Sequence, residues 1–187
     1  SGALGYLNKR LVILHRLGNR QAEANAHLNI GKAYRGLNNY NKAIESELKA
    51  LQIHEEISDF SGKASTLLLI GEIYFSMGNY DSAKEYYVEG LRLAQNIGDS
   101  INETQAYLLM GTLLAKTNNS AIALDNLFRA LELAENRESK KDICKVHLVL
   151  YEAYKSIGNF EKAFEHHEKH FKIDKEIYNV ESDRKLK

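Results

Sequence analysis

Apolar side chains return along this chain at helical spacing, and the striped pattern itself returns every forty residues. The stretch LLLIGEIYFSMGNYDSA, Leu67 to Ala83, contains the whole unit: an apolar helix face, a Gly-Asn break, then an aromatic residue and an alanine opening a second helix. Gly31, Gly71 and Gly111 keep the interval, with Tyr151 in the fourth slot. Tyr34, Tyr74 and Tyr154 keep it too, with Leu114 in the third. Ala43, Ala83, Ala123 and Ala163 hold it throughout, as do Leu51, Leu91, Leu131 and Phe171. A period of this length marks a solenoid, in which each unit buries its apolar face only against its neighbours.

Taken in order, Ala3, Leu4, Leu7, Leu11 and Leu14 share one face of a helix over about 3–17, in register with the second helix of a repeat. Its own first helix is missing from the sequence, so the chain reads as cut from a longer one. Gly18-Asn19 ends it, since these residues accept the left-handed turn at a helix C-terminus. Four hairpins follow, over 18–57, 58–97, 98–137 and 138–177, turning at Asn38-Asn39, Gly78-Asn79, Asn118-Asn119 and Gly158-Asn159. Turns so short force the paired helices to lie antiparallel and adjacent. A glycine inside a helix costs about 1 kcal/mol relative to alanine. Repeating that cost at 31, 71 and 111 predicts a partner helix passing too close for a side chain, with the alanines at 43, 83, 123 and 163 as the other half of the contact. The last helix starts at Phe160 and has no stop where earlier copies end; Phe164, Phe171, Ile173, Ile177 and Val180 carry its stripe on, and 178–187 read as a helical extension.

The order of small residue, aromatic three later, Gly-Asn-aromatic turn and alanine resembles the tetratricopeptide repeat (TPR) across essentially the whole chain. Forty residues exceeds that family's usual period. The slot often held by tryptophan carries His27, Leu67, Tyr107 and His147, and there is no proline at all. The resemblance implies an all-α fold, a right-handed α-solenoid of stacked antiparallel helix pairs, as a single array over 1–187. The closing KEIYNVESDRKLK is similar to the junction at which bacterial repeat-containing signalling proteins enter a helical linker, with an output domain of sensor kinase or diguanylate cyclase type beyond it.

Composition narrows the function. Twenty-five basic residues balance 25 acidic ones, which argues against a polybasic surface for nucleic acid or anionic lipid. No apolar run approaches a membrane span, and SGALGYLNKR lacks a signal-peptide core. The single cysteine, Cys144, fits a reducing, cytoplasmic compartment; it stands where Ala24, Ala64 and Thr104 do, a small packed position that suits a buried thiol rather than a nucleophile. His166 and His170 are four apart, at metal-ligand spacing with His167 beside them, but HHEKH is not a zinc-peptidase motif and reads more plainly as a packed or solvated helix face. No phosphate loop, nucleophile elbow or calcium loop is present. The expectation is a non-catalytic module without a cofactor.

By resemblance, the first helix of each unit lines a concave groove for a protein or peptide segment. The family's groove positions fall on Leu28, Lys32 and Arg35, then Leu68, Glu72 and Phe75, then Leu108, Thr112 and Ala115, then Leu148, Glu152 and Lys155. Asn29 occupies a slot where related arrays bond a peptide backbone; Leu69, Leu109 and Val149 hold it elsewhere. The leucines could equally be interhelix core, which periodicity alone does not separate. The leading expectation is the sensory or scaffolding part of a larger bacterial signalling protein. The alternative is a structural scaffold that dimerises through end-exposed aromatics: Tyr6, Phe164, Phe171 and Tyr178.

Overall fold

The small polar residues that punctuate the sequence terminate helices by specific bonds. In the computed structural model, residues 2–185 are described and form α1 (Gly2–Arg16), α2 (Arg20–Gly36), α3 (Tyr40–Glu56), α4 (Phe60–Ser76), α5 (Tyr80–Ile97), α6 (Ser100–Lys116), α7 (Ser120–Asn136), α8 (Lys140–Ser156) and α9 (Phe160–Lys185). The side chains of Asn19, Asn39, Asp59 and Asn79 each accept the backbone N–H three residues on, at 2.8–3.3 Å, which satisfies one of the otherwise unpaired donors of a helix start. Each cap follows a residue in the left-handed region. That residue is glycine at 18, 78, 98 and 158, but Asn38, Ser58, Asn118 and Glu138 elsewhere. For Ser58 and Glu138 the conformation costs roughly 1–2 kcal/mol. The expected turns are therefore met, and of those between repeats the ones at Ser58 and Glu138 use residues that do not announce them.

The repeated glycines are places of close approach. A methyl group on Gly71 would lie 2.5 Å from Tyr87 Cε1 and 3.2 Å from the Ala83 carbonyl oxygen. On Gly111 it would lie 2.6 Å from Leu127 Cδ2 and 3.3 Å from the Ala123 carbonyl. Gly31 faces the Glu47 carboxylate and the Ala43 carbonyl. The alanines are the other half of the contact, as expected, but their backbones supply it. In the fourth hairpin Tyr151 fills the slot and its ring meets His167, 4.9 Å between centroids.

The chain divides into two compact units, residues 1–102 and 103–187, with the division in the first turn of α6. In the first unit α1 packs on α2, α2 pairs with α3, α3 packs on α4, and α4 pairs with α5. Its core runs through Ala24, Ile30, Ala50, Ile53, Leu67, Ile70, Ile73 and Tyr87. Neighbouring repeats here are also pinned at their caps: Gln21 donates to the Asp59 carboxylate at 3.1 Å, and Ser61 donates to that of Asp99 at 2.5 Å. In the second unit α6 meets α7 at Gly111, α7 packs on α8, and α8 pairs with α9. Its core gathers Leu108, Leu127, Ala130, Val146, Leu150, Ala153 and Tyr154. Among the described residues no helix is long and apolar enough to cross a membrane.

Candidate binding face on the first helices

The first helices α2, α4, α6 and α8 each turn one face to a second helix and leave part of the other uncovered. In the first unit Asn29 and Lys32 are exposed, while Arg35, Glu72 and Phe75 are half-buried. Arg35 of α2 reaches α4 and pairs with the Glu72 carboxylate at 2.6 Å. Phe75 leans on Tyr80, 5.5 Å between ring centroids. Leu28 is half-buried against Ala24, Ala50 and Ile53. Leu68 falls on the core side of the two readings left open for the leucines. It is 2% exposed, pressed under Gly90, and belongs to the core.

The second unit gives the same split. Leu108 is buried with Leu127 and Leu150, so it too is core rather than groove lining, and Ala115 packs on that cluster. Thr112 donates its hydroxyl to the Leu108 carbonyl at 2.8 Å, a bond within its own helix. Leu148 is 42% exposed and Glu152 is exposed. Lys155 lies over the Tyr151 ring, 5.3 Å from the centroid. The burial of Leu68 and Leu108 comes from what faces them: Leu68 lies against Gly90 of α5, and Leu108 lies in the cluster with Leu127 of α7 and Leu150 of α8.

The sequence reading passed over a polar cluster behind the first unit's face. Glu47 of α3 is 3% exposed, and its Oε2 has no hydrogen-bond partner. Burial pushes its carboxyl up to about 8; the nearby Arg35 guanidinium opposes this and the Glu72 carboxylate adds to it. Burial also raises the Tyr87 phenol, with Glu72 adding and Arg35 opposing. Glu47, Tyr87, Leu127 and His167 are in register opposite the glycine slot. A glutamate in an otherwise mostly apolar or aromatic column was the available signal.

The three clustered histidines of α9 disperse to three partners. His166 is buried, with Nδ1 3.1 Å from Nδ1 of His147 and its ring stacked on Tyr154. His167 meets Tyr151, and His170 Nδ1 lies 3.2 Å from Cys144 Sγ. Among the described residues no three His, Cys, Asp or Glu side chains converge as a metal site. Cys144 is buried, and burial with the Asp174 carboxylate pushes its thiol up, away from nucleophile behaviour.

The His147–His166 contact sets a pH limit on this hairpin. Burial, then His166 and Lys169, push His147 down to about 4; burial and Lys169 also lower His166, with Glu165 opposing. In an unfolded chain both rings would titrate near 6.5. A depressed folded value means full stability above about 6.5 and loss as pH falls towards 4. Amide protection factors of α8 and α9, taken relative to the intrinsic exchange rate at each pH, are therefore expected to fall over that window, and His147→Gln should flatten the dependence.

Two tetratricopeptide-repeat family profiles match the chain, one over residues 24–56 and one over 62–136. No curated protein sequence matches it significantly. Among solved structures, the Rap conjugation gene regulator of the plasmid pLS20 in complex with the Phr* peptide is 22% identical with a TM-score of 0.77, over 98% of this chain and 51% of that one. A Rap protein complexed with competence and sporulation factor is 14% identical with a TM-score of 0.71, over 94% and 59%. BtubC (BKLC) from P. vanneervenii is 20% identical with a TM-score of 0.71, over 85% and 66%. The chain thus spans between about half and two thirds of these proteins, and identities so low speak for the fold alone. Two profiles and a shared helical-repeat architecture agree: residues 24–56 and 62–136 of this chain are tetratricopeptide repeats.

Proposed function

We propose that the chain is a non-catalytic module that binds a peptide or protein segment in a groove lined by the uncovered faces of its first helices. The observation that carries this is the Arg35–Glu72 pair, which joins α2 to α4 across a partly open face flanked by Asn29, Lys32 and Phe75. Mixed charge beside an aromatic suits a segment with one apolar anchor and charged flanks. In the second unit Leu148, Glu152 and Lys155 offer the same mixture. Two neighbours of like fold are described in complex with the Phr* peptide and with competence and sporulation factor, which supports the reading without fixing a ligand. We place the module as the sensory or scaffolding part of a larger bacterial signalling protein, a setting supported by the continuation of α9 past its hairpin.

A randomised displayed-peptide library selected on the intact chain tests it. Enriched peptides are expected to lose about tenfold or more in affinity, roughly 1.4 kcal/mol, with Lys32→Glu or Phe75→Ala. They should keep it with Lys84→Ala, on the exposed face of α5. No enrichment, or equal loss at Lys84, would remove the proposal.

A further inference from the structure

The last helix leaves open a face that its counterpart buries. In α7, Leu124, Leu127 and Leu131 pack into the core shared with Val146 and Leu150 of α8, and Ala134 is fully buried. Forty residues on, the same positions of α9 are Phe164, His167, Phe171 and Asp174, all exposed. Phe164, Phe171 and Tyr178 are 62%, 64% and 71% exposed, and they are seven residues apart. That spacing keeps large side chains on one line of a helix paired with another helix. α8 covers the opposite side, through His147 on His166, Cys144 on His170 and Lys140 on Glu176. Past Glu176, α9 runs on beyond the first residue of α8.

We infer that this aromatic line is a contact for a second copy of the chain, α9 against α9 in antiparallel orientation. Phe171 lies at the two-fold axis, and Phe164 of each copy packs on Tyr178 of the other. Charge selects both occupant and direction. Glu161 and Glu168 flank the first half of the line, and Lys172 and Lys175 the second. On that flank antiparallel pairing lays the two glutamates against the two lysines of the other copy, whereas parallel pairing would set like on like; Asp174 borders the other flank. A further repeat helix, seated as α8 is on α7, would bury Asp174 where α7 has Ala134. A narrow seam centred on the rings leaves that carboxylate at its border, in reach of water. Six rings of ~150–250 Å² each, about two thirds exposed, offer roughly 600–1,000 Å², below the lower bound of about 1,200 Å² for stable interfaces. The dimer therefore dissociates on dilution.

Sedimentation velocity on the whole chain over a wide concentration range tests this, separately from peptide binding. The mass is expected to rise from 21.2 kDa towards twice that value. Phe171→Glu, on an exposed position, should hold the chain monomeric with its helical circular dichroism unchanged. Glu168→Lys should weaken the dimer about fivefold to tenfold, and Glu168→Lys with Lys175→Glu should restore it. A monomer at every concentration overturns the inference. So does a dimer indifferent to Phe171→Glu, or a charge swap without restoration.

Discussion

Leu127→Ala is expected to destabilise the second unit by about 2–5 kcal/mol, the range for deleting a fully buried leucine. Adding Gly111→Ala to that variant should then recover part of the loss. Leu127 is completely buried, and its Cγ and Cδ2 occupy the space that a side chain at 111 would need, 2.6 Å from an added methyl. In the parent chain Gly111→Ala gains about 1 kcal/mol of helix propensity but forces Leu127 to move, at a cost of about 1–3 kcal/mol. Once Leu127 is shortened the obstruction is gone, and the methyl partly fills the cavity. The remaining neighbour, the Ala123 carbonyl oxygen at 3.3 Å, is backbone and limits the recovery. A double-mutant cycle read from urea midpoints should show a favourable coupling of at least about 1 kcal/mol. Strict additivity would mean that the glycine is not there for the leucine.

The second large effect belongs to Glu47. Its folded carboxyl is held at about 8, against an ordinary value of 4.5. A raised folded value means that the native state keeps a proton the unfolded chain has released. The associated stability is therefore full below about 4.5 and declines as pH rises through about 8. At 1.36 kcal/mol per unit the loss is on the order of a few kcal/mol. Denaturation of the first unit is expected to become easier between pH 5 and pH 9, and Glu47→Gln should flatten the trend. The two forms should be similar at pH 5, with Gln the more stable at pH 9. An unchanged slope in the variant would show that Glu47 does not carry the proton. The second unit should respond in the opposite direction, losing stability towards acid through His147 and His166.

How far each residue could be read in advance follows from what its environment depends on. Gly71 and Ala83 were legible because a close approach between adjacent helices leaves no room for a side chain in three of the four hairpins, so the constraint repeats with the period. The turns at Gly78 and Gly158 were legible because a left-handed residue favours glycine. Ser58 and Glu138 adopt the same conformation with no such mark in the sequence. Leu68 and Leu108 shared a register with Leu28 and Leu148. Only the packing of second helices showed that the first two are buried, one half-covered and one exposed.

The sequence by itself determined the helical units, their antiparallel pairing and the glycine–alanine contacts, because each is a local event repeated along the chain. Tertiary structure alone decided the rest. It buried Glu47 without a partner for Oε2, joined Arg35 to Glu72 and set His147 against His166. Those outcomes depend on which side chains from different helices reach the same small volume. That distance is fixed by packing, and no spacing along the chain encodes it.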